Sequence, residues 1–247
     1  MDGTDFSTTY WNDGYVVVNG LISDEKINAF IKKHKPNNLI LEEKLPLYQS
    51  YISRDAYIDS QEIRDILCGT EILHYFKTLN KQFALHLSEA RIGTSGIKWH
   101  TDYIDQLIDA ANNYIGVHVA MSDVDIECGP FELIPGSHKW VKNAEILNHE
   151  NCKNYHNSCY EYNEKLIDSM GVKPYVFEAK KGDVLFWHGH LYHRGGEIKN
   201  WKVGRDVLFG HYYAIEQYEA QSCIDELPGQ RIKNNNGIFY VVGNYHD

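Results

Sequence analysis

The sequence has no run approaching the ~20 apolar residues that a membrane-crossing helix requires. Its start, MDGTDFSTTYWNDG, lacks the positive opening and apolar stretch of a secretory signal. Cysteine is sparse and scattered: Cys68, Cys128, Cys152, Cys159 and Cys223 form an odd set without a C-x-x-C. That argues against a disulfide framework and a zinc ribbon, and the chain reads as soluble and cytoplasmic. Basic charge is also short, with 24 Lys and Arg against 34 Asp and Glu, a formal net charge of -10. A nucleic-acid binder needs a basic footprint, and none is present. The one basic cluster, Lys32, Lys33 and Lys35, sits where cations suit the end of a helix. The acidic balance also disfavours a substrate carrying many phosphates. Only 6 prolines, no Gly/Ser linker and no repeat divide the chain, so residues 1–247 are expected to form one domain.

What is abundant is core material: 43% hydrophobic and 13% aromatic residues. Residues 1–80 are largely helical in pattern. Ser23-Asp24-Glu25 opens one segment with Ile27, Phe30 and Ile31 at helical spacing, and Pro36 stops it. A second segment runs from Asp59 through Ile63, Ile66 and Leu67 to Gly69, and a third carries Ile72, Leu73, Tyr75, Phe76 and Leu79. From about residue 82 the texture changes. FALHLSEARI, YIGVHVAMSDV, PFELIPGS, PYVFEA, DVLFWHG and RDVLFGHYY are short, rich in aromatic and β-branched residues, and bounded by turn formers. Six such segments predict a mainly β protein with flanking helices, a β-sandwich or jelly roll (a cupin-like double-stranded β-helix) with its core over 82–215. The polar, aromatic stretch 138–170 is too long for a hairpin and reads as a lid or insertion. The tail GIFYVVGNY is apolar enough to add a strand or cover a neighbour.

Among 13 histidines, the KWHTDY segment holds the H-x-D pair His100 and Asp102. On extended backbone, residues two apart point the same way, so an imidazole and a carboxylate there can share one ion. In a chain this rich in histidine, such a pair alone is weak evidence. The stretch GDVLFWHGHLYHRGG adds His188, His190 and His193, and Arg205 follows at the start of another strand. One of these histidines would complete a set of two histidines and one carboxylate, which binds Fe(II) on one face and leaves positions open. An α-keto acid can chelate two of these and O2 can take the third. An arginine fork suits the other carboxylate of such a co-substrate.

With these residues in view, the sequence resembles the phytanoyl-CoA dioxygenase family of Fe(II)/2-oxoglutarate oxygenases. NDGYVVVNGLISDEKINAF is similar to the family's opening strand and helix, and KWHTDY to its H-x-D. MSDVDIECGPFELIPGSHKW resembles its central block, the most specific match, and GDVLFWHGHLYHRGG…R its distal histidine and following arginine. The resemblance implies Fe(II), 2-oxoglutarate and O2 as cofactor and co-substrates. It makes His100, Asp102 and His193 the iron ligands and Arg205 the partner of the 2-oxoglutarate distal carboxylate. His193 is preferred to His188 and His190 because it stands before the glycines and sets the interval to Arg205. A carboxylate ligand at Asp102 implies hydroxylation, desaturation or cyclisation over halogenation. Two departures stand out: Cys128 replaces the usual asparagine, and Gly195 replaces a frequent serine, leaving more weight on Arg205.

Other residues carry competing readings. His188, His190 and His193 could build a cupin-like three-histidine site, though a strand-end aromatic cluster with exposed histidines is the plainer account. His138 reads as a hydrogen-bonding turn residue. His118, between valines, is either a core histidine or an inward pocket residue. Trp99 and Tyr103 flank the H-x-D and are candidate substrate walls, and Lys98 a candidate 2-oxoglutarate contact. Arg54, with Tyr48, Tyr51 and Tyr57, lies in a loop suited to substrate contact, and Cys128 reads as a packed residue. The expected function is hydroxylation of an unactivated C–H in a small-molecule metabolite. The alternative from another class is a non-catalytic jelly-roll binding module. The acidic charge and aromatic loops favour a neutral or cationic metabolite over a CoA ester.

Overall fold

The computed structural model describes residues 3–37, 48–93, 98–102, 112–140, 157–216, 231–235 and 237–242. The chain opens with helix α1 (Gly3–Asp13), strand β1 (Tyr15–Val18) and helix α2 (Asp24–His34). Strand β2 (Tyr48–Ser50) and helices α3 (Gln61–Leu67) and α4 (Thr70–Thr78) lead into the long strand β3 (Phe83–Gly93). The β region continues with β4 (Tyr114–Ala120), β5 (Phe131–Leu133), β6 (Tyr175–Phe177), β7 (Val184–His188), β8 (His193–Gly195) and β9 (Asp206–Ala214). Helix α5 (Asn157–Met170) lies between β5 and β6, and β10 (Arg231–Asn235) and β11 (Ile238–Val242) come last.

All six expected β segments are strands. They form two sheets: an eight-stranded one in the order β1-β7-β4-β9-β3-β11-β10, with β2 also on β3, and a three-stranded one in the order β6-β5-β8. Pairing is antiparallel except for β11, which runs parallel to β3, so the apolar tail does add a strand. This is the jelly-roll architecture with flanking helices.

Alternation along the central strands gives the large sheet two different faces. Ile115, Val117 and Val119 of β4, Val184 and Phe186 of β7, and Leu208 and Tyr212 of β9 pack against the helices. They meet Phe6 and Tyr10 of α1, Ile27 and Phe30 of α2, Ile63, Ile66 and Leu67 of α3, and Ile72, Tyr75 and Phe76 of α4. The intervening residues Ala120, Leu185, Trp187, Val207 and Phe209 face the small sheet and meet Phe131, Leu133 and Phe177.

Local signals set the helix starts. Ser23 caps α2 by accepting from the Lys26 amide, with Asp24 and Glu25 in the first turn and Lys32, Lys33 and His34 in the last. Ser60 caps α3 by accepting from the Ile63 amide at 3.3 Å. Helix α1 carries Asp5 in its first turn and buries Phe6 and Tyr10, one turn apart, against the rest of the core. The stretch expected as a lid contains α5, whose Ile167 packs with Trp99, Ile134 and Tyr192. Residues 141–156 of that stretch lie outside the described residues.

The helix layer leans most on Phe186, whose ring lies 5.1 Å from Phe6, 5.7 Å from Tyr75 and 6.2 Å from Phe76. Phe186→Ala is expected to cost about 3–5 kcal/mol of unfolding free energy, as cavities at buried phenylalanines do. Urea denaturation checks this, and a loss below about 1 kcal/mol would mean the helices do not depend on this contact.

Candidate active site

Between the two sheets lies a cavity of about 440 Å³. The inward positions of β3 line it with Leu87, Glu89 and Arg91, those of β7 and β9 with Trp187, Phe209 and His211, and β5 with Phe131. The metal-ligand candidates enter through a backbone feature. His100 and His193 are directly opposed in an antiparallel bridge, each amide donating to the other's carbonyl at 3.0 and 2.9 Å. Opposed cross-strand residues bring their side chains together, and the two imidazole centroids are 4.2 Å apart. Asp102, two residues after His100, joins them, its Oδ1 lying 3.5 Å from His193 Nε2. One ligand atom from each of the three residues lies within 4.8 Å of the others. Among the described residues this is the one group of His, Cys, Asp and Glu so placed.

The hydrogen bonds decide which atoms face the centre. His100 Nδ1 donates to the Lys98 carbonyl at 2.7 Å, and His193 Nδ1 donates to the Leu191 carbonyl at 2.9 Å. A carbonyl has no proton to give, so each Nδ1 donates its own and each Nε2 is the atom left to face a metal. Trp187 Nε1 donates to Asp102 Oδ2 at 2.7 Å, leaving Oδ1 toward the histidines. Gly116 makes that indole position possible, because a Cβ there would fall 2.1 Å from the Trp187 ring. Burial, reinforced by His193, lowers the His100 pKa to about 3, so the ring is neutral and ready to ligate. Burial alone would raise the Asp102 carboxyl, but nearby His193 overrides it and holds it well below the usual carboxylate range.

Arg205 lies in the same cavity and is 1% exposed. Its Nε and Nη2 both donate to the Gly93 carbonyl, at 3.3 and 3.1 Å, while Nη1 has no partner among the described residues. Burial, with a contribution from nearby Arg91, pulls its pKa down to about 9, which still leaves it charged at neutral pH. A buried guanidinium with an unused N–H is costly unless an anion completes it. The residues therefore fit both a divalent metal at three converging donors and a carboxylate at Arg205. The fold and this donor set define a jelly-roll protein with a two-histidine, one-carboxylate metal centre.

The remaining expectations divide. Arg54 lines the cavity. Trp99 does not: beside a ligand on extended backbone it points the opposite way, into a cluster with Ile134, Ile167 and Tyr192. Lys98 is exposed and acts through its carbonyl on His100, with its side chain away from the cavity. His118 faces inward on β4 but is fully buried and walled off by Phe131, Phe177 and Phe209, so it is a core residue. Tyr103 and the side chain of Tyr48 lie outside the described residues.

The cupin-like set fails because His188, following Val184 and Phe186 in alternation, sits on the helix side of the sheet beside Tyr10, Trp11 and His138. His188 and His190 are buried there, not exposed as expected. His138 bonds to the Trp11 carbonyl from a tight turn, and Cys128 is buried with Sγ donating to the Asp125 carbonyl. Trp187, His211, Tyr114, Glu89 and Arg91 were not singled out from the sequence. Polar residues at alternate places in otherwise apolar strands were the signal.

A family model for phytanoyl-CoA dioxygenase (PhyH) matches residues 52–206, more than half of the chain. The chain belongs to the phytanoyl-CoA dioxygenase family. Comparison with curated proteins gives no match. Among solved structures, it is similar to the epimerase SnoN in complex with Fe3+, alpha ketoglutarate and nogalamycin RO. The TM-score is 0.63 at 16% identity, over 97% of this chain and 98% of that one. HygX from Streptomyces hygroscopicus, with nickel and 2-oxoglutarate bound, gives 0.62 at 16% identity, over 85% and 86%. The carbocyclase SnoK from nogalamycin biosynthesis gives 0.59 at 15% identity, over 96% and 95%. At these identities the likeness is one of fold. Among the described residues no helix is long and apolar enough to cross a membrane.

Trp187 orients the carboxylate without ligating. Trp187→Phe keeps the ring but removes the N–H, and metal affinity is expected to fall about 10–100-fold, as for other partners of ligating residues. Calorimetric titration of the metal-free protein with Fe(II) under argon checks it; unchanged affinity would show that the indole does not orient Asp102.

Proposed function

We propose that this chain is an Fe(II)- and 2-oxoglutarate-dependent dioxygenase that hydroxylates an unactivated C–H of a small molecule. The observation that carries the reading is the pairing, in one cavity, of three converging ligand atoms with a buried guanidinium that has an unused donor. Neither feature serves a binding module with no metal, and each is costly to bury unfilled.

In this reading His100, Asp102 and His193 hold the metal, and Arg205 Nη1 pairs with the distal carboxylate of 2-oxoglutarate. Bound Fe(II), with 2-oxoglutarate and O2, supplies oxidative decarboxylation: one oxygen atom goes to succinate as CO2 leaves, and the other goes to the substrate as hydroxyl. The chain's own residues hold and orient. Both imidazoles are kept as Nδ1–H tautomers by their carbonyl bonds, and Trp187 keeps Asp102 turned toward them. Phe131, Phe209 and Trp187 wall the cavity with apolar surface and keep bulk water from the reacting centre. Gly195 lines the cavity without a hydroxyl, so Arg205 carries the anchoring of the co-substrate. The cavity is near the small end of the roughly 300–1,000 Å³ usual for ligand sites, which suits a compact metabolite beside the co-substrate.

Succinate formation from 2-oxoglutarate with Fe(II) and O2 tests the reading. Asp102→Ala is expected to abolish it with the fold intact by circular dichroism. Arg205→Ala should raise the half-saturating 2-oxoglutarate concentration on the order of 100-fold, corresponding to roughly 3 kcal/mol for an unpaired buried carboxylate. Wild-type turnover in the first variant, or unchanged co-substrate dependence in the second, would contradict the assigned roles.

A further inference from the structure

Six charged side chains line the cavity: Arg54, Glu89, Arg91, Asp102, Arg194 and Arg205. Five have charge partners, present or assigned. Arg91 pairs with Glu89. Arg194 donates to Glu132 at 2.7 Å and stacks over Trp99 at 4.4 Å. Asp102 faces the metal position, and Arg205 takes the co-substrate carboxylate. Arg54 has no ion-pair or hydrogen-bond partner for its guanidinium among the described residues.

The loop that carries Arg54 is fastened to the sheet, which separates it from an ordinary solvated arginine. The Arg54 carbonyl accepts from the Ser88 amide at 2.8 Å, and Ser88 lies between Leu87 and Glu89, whose side chains line the cavity. The Tyr51 amide donates to Ala90 at 3.0 Å. Tyr57 donates to the His86 and Val241 carbonyls at 3.1 and 3.0 Å, and Arg64 holds the Tyr57 and Ile58 carbonyls at 2.6 Å each. Four residues of one short loop are thus tied down, so the backbone of Arg54, an exposed residue that lines the cavity, is fixed beside the site.

Resting on the functional reading above, we propose that the substrate carries one anionic group, a carboxylate or a phosphate or sulfate ester, and that Arg54 binds it. Once metal and co-substrate have neutralised the interior charges, Arg54 is the unmatched cation at the site, and a fork of N–H donors fits such an oxyanion bidentately. Charge at the site thus points opposite to the net charge of the whole chain, which favoured a neutral or cationic metabolite.

The test uses the protein loaded with Ni(II) and saturated with 2-oxoglutarate, so that Arg205 is occupied and no turnover occurs. Four probes of similar size are titrated by calorimetry: cyclohexanecarboxylate, cyclohexyl phosphate, cyclohexanecarboxamide and cyclohexylmethylamine. At least one anion is expected to bind about tenfold or more tighter than the amide and the amine, the size of one charge-assisted hydrogen bond. The preference should vanish in Arg54→Gln and persist in Arg54→Lys; comparing the two anions distinguishes a carboxylate from a phosphate ester. No charge preference in the wild type, or one that survives Arg54→Gln, overturns the proposal while leaving the functional reading in place. A loss of 2-oxoglutarate affinity in Arg54→Gln would reassign the side chain to the co-substrate and overturn it as well. Failure of the Ni(II)-loaded wild type to take up 2-oxoglutarate would instead overturn the functional reading, and this assignment with it.

Discussion

Two reciprocal backbone hydrogen bonds between His100 and His193 hold the site together. They join a segment that precedes β4 to the strand β8, far apart in sequence, and oppose the two imidazoles. Everything else refines that contact. The Lys98 and Leu191 carbonyls choose the tautomers, and the Trp187 indole turns the carboxylate. A donor set built this way is preorganised: the cost of gathering and desolvating the ligands falls on the fold, before any metal arrives.

The fold can bear that cost because its large sheet separates two tasks by alternation. One face is filled with aliphatic and aromatic side chains against four helices, and it belongs to the larger of the two main clusters of buried apolar residues. The other face, with the small sheet, is free to carry arginines, a glutamate and histidines around a cavity. A one-residue slip in β7 would exchange Phe186 for Trp187 and destroy both.

Much of this was legible from residue order. Short aromatic and β-branched segments between turn formers marked the strands, Ser23 marked the start of α2, and apolar spacing from Asp59 marked α3, whose Ser60 cap only the structure shows. The H-x-D pair and the histidine-rich stretch narrowed the metal donors by residue type, but the family resemblance, not spacing, chose His193 among three histidines and pointed to Arg205; the structure brings His100, Asp102 and His193 together. Less legible was anything that depends on which face a residue takes. Trp99 sits beside a ligand and His118 in the middle of a strand, yet the first turns away from the cavity and the second is sealed by phenylalanines. His188 belongs to the helix side for the same reason, and no count of histidines would reveal it. Trp187 acts through a single N–H to a residue 85 positions away, a relation that only three dimensions display.

One metal ion and one 2-oxoglutarate are proposed to meet at His100, Asp102 and His193. Adding 2-oxoglutarate without oxygen to the Fe(II)-loaded protein tests it most directly, because chelation of ferrous iron by an α-keto acid produces a visible charge-transfer absorption. This absorption is expected to saturate at one iron and one 2-oxoglutarate per chain. Iron that binds the chain yet gives no such absorption on adding the keto acid would contradict it.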